Sequence, residues 1–277
     1  MIINIINYFR SHGIKATVKK IIESLSTRLG IYIKIKSREN LKKSNLGRKL
    51  FSKRKIKYMD AGYWEVHPMP SESELEDYYS DIYWTESKKK NVGVNIRDLI
   101  HFYILCEVLP SYFSSPKKIM NIGAGHGGIS FLFHQMGHEV INIEPSGLKN
   151  YYNSKWRTYK NINEVNDNDF DFIYGSHSLE HVQNLHEFLG KIKSKLKKDS
   201  YVFWDIPNGN NPKNGPLENR IHIPHTYYFK KDFFNKEFSK IVINECYEYG
   251  LLKKKPLYEW RNHLDEDGDC IIVLGSY

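Results

Sequence analysis

The residues best suited to chemistry fall in three groups. Gly123-Ala-Gly125-His-Gly127-Gly128 is a glycine-rich run. Glycines let the backbone turn tightly and approach a ligand closely. Glu144 lies 21 residues after Gly123. That is the separation at which an acid at the tip of a second strand can accept hydrogen bonds from ribose hydroxyls. The third group is His177, His181, His222 and His225, with Glu180 between the first two. Imidazole changes charge near neutral pH, so these are candidate proton acceptors. A glycine run alone identifies nothing; its meaning comes from the elements around it.

Ile119, Met120 and Ile122 mark a short buried strand over 117–122 that runs into the glycine turn. Ile129, Leu132, Phe133 and Met136 then fall on one face of a helix. Strand, glycine turn and helix aim the free N–H groups of a helix N-terminus at a ligand. Residues 139–144 read as a second strand, followed by a helix near 147–156 and a short strand near Thr158. Phe170–Tyr174 is the next strand and opens into 175–181. An amphipathic helix over 185–196 leads to a strand over 201–204, which ends at Asp205-Ile-Pro-Asn208. A Gly/Asn/Pro-rich loop over 208–216 precedes the segment with His222 and His225, and a helix follows near 231–238. Residues 241–247 and 270–274 are two final strands. Strands alternating with helices predict an α/β fold with a mostly parallel sheet and ligand at its carboxyl edge.

Upstream, 96–109 reads as a helix with Ile96, Leu99, Ile100, Tyr103, Ile104 and Leu105 on its apolar side. Residues 59–67 could form a strand or hairpin around Gly62, and Ser71 to Glu74 is a capping-box-like start to a helix reaching about Tyr79. Tyr78, Tyr79, Tyr83 and Trp84 form an aromatic cluster, suited to packing or to closing over a ligand. Residues 2–29 read as a basic amphipathic segment, divided near Gly13. It could pack on its own domain, on a dimer partner or on an inner membrane surface. Residues 34–57 are rich in Lys and Arg with little periodicity, which suits a solvated linker or a polyanion contact.

The charge is unevenly placed. Residues 1–57 hold 16 Lys and Arg against Glu23 and Glu39, a net of +14; the other 220 residues carry 25 Lys and Arg against 30 Asp and Glu, a net of −5. Such asymmetry suggests a tail for anionic surfaces. With 277 residues and 40% hydrophobic content, the chain can bury a large core. It has no apolar run of membrane-spanning length. Cys106, Cys246 and Cys270 are far apart and odd in number. They suit neither a disulfide framework nor a metal cluster, and imply a reduced, cytoplasmic protein.

Taken together, Asn-Ile-Gly-Ala-Gly-His-Gly, Val-Ile-Asn-Ile-Glu, His-Ser-Leu-Glu-His-Val and Val-Phe-Trp-Asp-Ile-Pro-Asn resemble the class I S-adenosylmethionine-dependent methyltransferases, in their bacterial small-molecule and envelope-glycan branch. The resemblance covers roughly 97–277, and more loosely 58–96. It implies a Rossmann-like, seven-stranded methyltransferase sheet with S-adenosylmethionine as cofactor. The expected organisation is a basic helical extension and aromatic cap over 1–95 and the methyltransferase domain over 96–277. Gly123, Ala124 and Gly125 would line the methionine part of the cofactor, and Glu144 would hold the ribose. Ser176 and His177, at the tip of the fourth strand, would face the sulfonium and the acceptor. The chain departs from the family pattern at Asn121, where an acid is frequent, and at Lys198-Asp199-Ser200, where a glycine turn is usual. A nicotinamide enzyme could share the glycine loop, but the final strands and the Leu-Glu-His segment match methyltransferases better.

Methyl transfer to a hydroxyl gains from a base of near-neutral pKa, and the candidates are His177 and His225. A divalent ion held by Glu180, His181 and His225, with or without His177, is a second way to deprotonate such an acceptor. The motifs of amino-methylating nucleic-acid enzymes and of pyrimidine C5 methylation are absent. This favours an O-methyltransferase acting on a sugar, phosphorylated sugar or related precursor of capsule or lipopolysaccharide, as a small molecule or glycan-linked. Contact with the inner membrane face and a homodimer are expectations for the N-terminal segment. An RNA methyltransferase and a non-catalytic cofactor-binding scaffold are the alternatives.

Overall fold

The computed structural model describes residues 50–78, 93–145, 156–218, 221–222 and 224–277. The amphipathic segment over 2–29, most of the basic stretch, the aromatics at 79–84 and the helix expected near 147–156 lie outside them. The described residues all belong to one compact unit.

A small antiparallel sheet begins that unit. β1 (Lys55–Met59) and β2 (Tyr63–His67) form the hairpin about Gly62, and β2 also pairs with β8 (Tyr227–Phe229). The first three residues of β1 fall inside the stretch, 34–57, whose lack of periodicity suggested a linker. The side chains of β1 are mostly exposed, so no alternation marks it. Helix α1 (Glu72–Tyr78) starts with the expected capping box. The Ser71 N–H donates to Glu74 Oε2 at 2.8 Å, and the Glu74 N–H donates to Ser71 Oγ at 3.3 Å.

Helix α2 (Ile96–Val108) is capped in the same way by Asn95 and Asp98. After it come β3 (Lys118–Ile122), α3 (Gly128–Gln135), β4 (Glu139–Ile143), β5 (Thr158–Tyr159) and β6 (Phe170–Ser176). The second half runs α4 (Leu185–Lys195), β7 (Leu196–Pro207), β8, α5 (Lys231–Glu237), β9 (Lys240–Tyr247), α6 (Tyr249–Leu252) and β10 (Cys270–Ser276). The main sheet has seven strands in the order β5-β4-β3-β6-β7-β10-β9. The pairings among β5, β4, β3, β6 and β7 are parallel, and β10 is antiparallel to both neighbours. This is the Rossmann-like sheet with a reversed strand near one edge.

Both faces of the sheet are covered, so its strands are apolar almost throughout. Met120, Ile122, Ile141, Ile173, Trp204 and Ile271 bury into one core layer; Ile119, Val140, Phe172, Phe203 and Ile272 bury into the other. The assignment alternates along each strand, as a pleated backbone requires. Beneath the glycine loop a short polar chain crosses the apolar interior. Asn121 Nδ2 donates to Ser130 Oγ at 2.7 Å, and Ser130 Oγ donates to Asn142 Oδ1 at 2.7 Å. Asn121 thus ties β3, α3 and β4 together. Asp199 adopts a left-handed backbone with φ of 61°, the conformation a glycine supplies in the usual turn before this strand.

Candidate active site

The carboxyl ends of β3, β4, β6 and β7 meet at the glycine loop, where the strand order reverses direction between β3 and β6. Gly123 and Gly125 hold φ of 68° and 53°. A Cβ on Gly123 would stand 2.7 Å from Ser178 Cβ, so the turn needs a bare backbone for two reasons. Gly123, Ala124 and Gly125 line a cavity of about 630 Å³. That is the size range of a cofactor or small-ligand pocket.

Glu144 follows β4 and is buried. Its Oε2 accepts the Gly125 N–H at 2.7 Å, so the acid braces the loop from its own side rather than lining the cavity.

The opposite half of the loop region is set by two residues on the first turn of α2, which sequence reasoning passed over. Arg97 Nη1 donates to Asp205 Oδ2 at 2.6 Å, and its guanidinium lies 3.9 Å from the centre of the Tyr249 ring. Asp98 is packed so close to α3 that a Cβ on Gly128 would meet its Oδ2 at 2.2 Å. Burial raises the Asp98 carboxyl above its ordinary range. Asp205, at the end of β7, is fully buried and also accepts the Tyr247 hydroxyl at 2.8 Å and the Ser176 hydroxyl at 3.2 Å. Burial alone would push its pKa up; Arg97 and His101 outweigh it and hold Asp205 far below the carboxylate range. Its sequence signal was the Asp-Ile-Pro-Asn strand end, and that of Arg97 and Asp98 the Asn95-x-x-Asp98 cap.

The histidines converge on the same cavity. His177 follows β6 with φ of 49°, a left-handed conformation uncommon outside glycine. Its N–H donates to the Asp205 carbonyl at 2.8 Å, which holds the turn in place. The imidazole then stands between two carboxylates, with Nδ1 3.2 Å from Glu180 Oε1 and Nε2 3.7 Å from Asp205 Oδ2. Ser176 and His177 both line the cavity with the glycine loop.

Glu180 and His181 sit in a 3-10 turn, Leu179–His181, and Glu180 is 1% exposed. Burial would raise the Glu180 carboxyl; His181 and His177 outweigh it and hold it below its ordinary range. Thr226, just before β8, brings His225 to this turn. Its N–H and hydroxyl both donate to the Glu180 carbonyl, at 2.8 and 3.0 Å. The His225 ring centre is 5.0 Å from that of His181, and its Nε2 is 3.2 Å from His222 Nδ1. His225 is buried, and burial with the neighbouring imidazoles His181 and His222 holds its pKa well below the ordinary histidine value. That direction works against a role as general base. Of the two histidines considered for that role, His177 has the better surroundings.

A seven-stranded sheet with one reversed strand, a glycine loop at its switch point and an acid after the second strand define a class I S-adenosylmethionine-dependent methyltransferase. The glycine loop fits the cofactor, since Gly123, Ala124 and Gly125 line the cavity with bare or nearly bare backbone that a ligand can approach closely. The chain belongs to the methyltransferase domain family, whose model matches residues 94–241. Its cofactor is S-adenosylmethionine. Among solved structures it is similar to coclaurine N-methyltransferase, bound in that structure to N-methylheliamine and SAH, at 13% identity over 95% of each chain with a TM-score of 0.54. It is also similar to a SAM-dependent methyltransferase from Archaeoglobus fulgidus (19% identity, 64% of this chain and 93% of that one, TM-score 0.48). A third is from Mesorhizobium loti (12% identity, 66% and 100%, TM-score 0.48). No curated protein matches the sequence. No described helix is long and apolar enough to cross a membrane.

Proposed function

We propose that this methyltransferase acts on a hydroxyl of a sugar, phosphorylated sugar or related precursor of a bacterial envelope glycan, with His177 as general base. The observation that carries the reading is the placement of His177 between Glu180 and Asp205 on the wall of the cofactor cavity. S-adenosylmethionine supplies an electrophilic methyl group there. The chain's work is to align the acceptor oxygen and take its proton. The carboxylates at its two nitrogens hold the ring in place on the cavity wall. A hydroxyl is a weak nucleophile until its proton is taken, whereas a neutral amine attacks without losing one first.

Gly123, Ala124 and Gly125 take the methionine part of the cofactor, and Glu144, which braces the loop at Gly125, is the acid for the ribose. Ser176 borders the transferred methyl. The polar, histidine-rich wall suits a polyhydroxylated acceptor. The net charge of +14 over residues 1–57 suits an anionic acceptor, or the inner membrane face near which glycan precursors are assembled.

The test is a cofactor-turnover screen of the full chain against nucleotide-sugar and glycan-linked acceptors. Turnover with a hydroxyl-bearing sugar supports the reading. Turnover with RNA alone, with binding that weakens steeply in salt, would replace it by an RNA methyltransferase that uses the basic segment.

A further inference from the structure

We propose that Glu180, His181 and His225 form the binding site of one divalent first-row transition-metal ion at the edge of the cofactor cavity. Its role rests on the O-methylation reading above: the ion receives the acceptor hydroxyl, and His177 takes the proton the hydroxyl loses.

One donor atom from each of the three residues lies within 4.8 Å of the other two. A metal with bonds of about 2.0–2.2 Å needs its donors about 3–3.5 Å apart, so small side-chain rotations close the set. The scaffold around them is already tied down. Two hydrogen bonds from Thr226 hold the 3-10 turn carrying Glu180 and His181 against the segment carrying His225.

The cluster has donors to spare. His225 is 6% exposed, and its Nδ1 makes no hydrogen bond. Neither carboxylate oxygen of Glu180 makes one of standard geometry, and His177 Nδ1 stands 3.2 Å from Oε1. Buried polar atoms in folded proteins are nearly always satisfied, and orphans grouped around one point indicate a missing partner. A buried carboxylate also calls for a cation, and among the described residues no Lys or Arg is paired with Glu180. A dication answers both needs.

Two imidazole nitrogens and one carboxylate oxygen form a borderline set that suits Zn²⁺, Fe²⁺, Co²⁺ or Mn²⁺. Mg²⁺ and Ca²⁺ prefer sites made of oxygen. Three protein ligands leave positions open for water or an acceptor oxygen, as in catalytic rather than structural sites. The ion lowers the pKa of the bound hydroxyl as a Lewis acid, the proton passes to His177, and the oxygen then forms its bond to the methyl carbon as the carbon–sulfur bond breaks. A neighbouring group, His177, Asp205 and Cys270, is equally compact. It is no rival, because Asp205 already carries Arg97 at 2.6 Å and Tyr247 at 2.8 Å, and the guanidinium opposes a second cation.

The experiment uses untagged full chain, stripped with a chelator and titrated calorimetrically with Zn²⁺, and with Co²⁺ while the visible spectrum is recorded. One equivalent should bind, with Co²⁺ ligand-field bands. Glu180→Gln and His225→Ala should each weaken binding by more than about tenfold with S-adenosylmethionine affinity retained. Should either fail to fold, His181→Asn serves as the second variant. The site is overturned if no stoichiometric binding occurs, or if variants that fold bind as tightly as the parent. Binding is read without an acceptor, so it stands or falls apart from the O-methylation reading. Full turnover of a hydroxyl acceptor in the chelated enzyme would overturn the ion's role and leave that reading in place.

Discussion

The Arg97 guanidinium lies 2.6 Å from the Asp205 carboxylate and joins the first turn of α2 to the end of β7, across the floor of the cofactor cavity. The two residues are 108 apart in sequence. Asp205 is 0% exposed and the Arg97 side chain 19%. Removing one partner of a buried pair leaves the other charge uncompensated, at a cost of about 3–5 kcal/mol. Asp205→Asn should therefore lose about that much unfolding free energy in a urea titration. It should also weaken cofactor binding, because α2 carries Asp98 to the glycine loop. A loss below about 1 kcal/mol would mean that Arg97 finds solvent instead.

The fold was legible because its signals are local. The strand, glycine turn and helix of 117–136, the acid at Glu144 and the final strands show in periodicity and spacing alone. The Arg97–Asp205 pair was not legible, because neither residue says which distant charge it meets. β8 was missed for a different reason: three residues are too few to show a period of two, and its pairing partner β2 lies more than 150 residues earlier. His225 resembled a base in sequence because burial is invisible there. Packed against His181 and His222, it has its pKa pushed below the ordinary histidine value.

His138 gives a stability prediction with a definite sign. Its Nδ1 accepts the Lys117 N–H at 3.1 Å, and burial, helped by the Lys117 charge, lowers its pKa from the ordinary 6.5. The folded value lies below the unfolded one, so the unfolded chain binds a proton that the folded chain refuses. Stability from this group is full above about pH 6.5 and falls as the pH drops below it. His138→Asn keeps an acceptor and removes the titration. The slope of unfolding free energy between pH 6.5 and 5 should flatten by up to about 1.4 kcal/mol per pH unit. An unchanged slope would show that His138 does not contribute.

Gly123→Ala should separate the loop from the rest of the fold. It meets both a φ of 68° and a contact of 2.7 Å with Ser178. Cofactor affinity measured by calorimetry should fall at least about tenfold, the equivalent of about 1.4 kcal/mol of strain passed to the bound state. An unchanged affinity would mean that the loop backbone does not bind the cofactor.

Gly190 offers the reverse case. It is exposed in the middle of α4, and a Cβ there meets nothing within 4 Å. Gly190→Ala should stabilise the protein by about 0.5–1 kcal/mol through helix propensity and leave turnover unchanged. Destabilisation on thermal unfolding would indicate a contact made by this face of α4.

His177→Gln in the full chain, assayed with a hydroxyl-bearing sugar acceptor, bears on the proposed chemistry more closely than any other substitution. Positioned general bases contribute about 10²–10⁴-fold to rate. If His177 takes the acceptor proton, kcat should fall by that order while S-adenosylmethionine affinity stays within about twofold. A kcat within about twofold of the parent would contradict the assignment, and with it the reading of the pocket as one built for O-methylation.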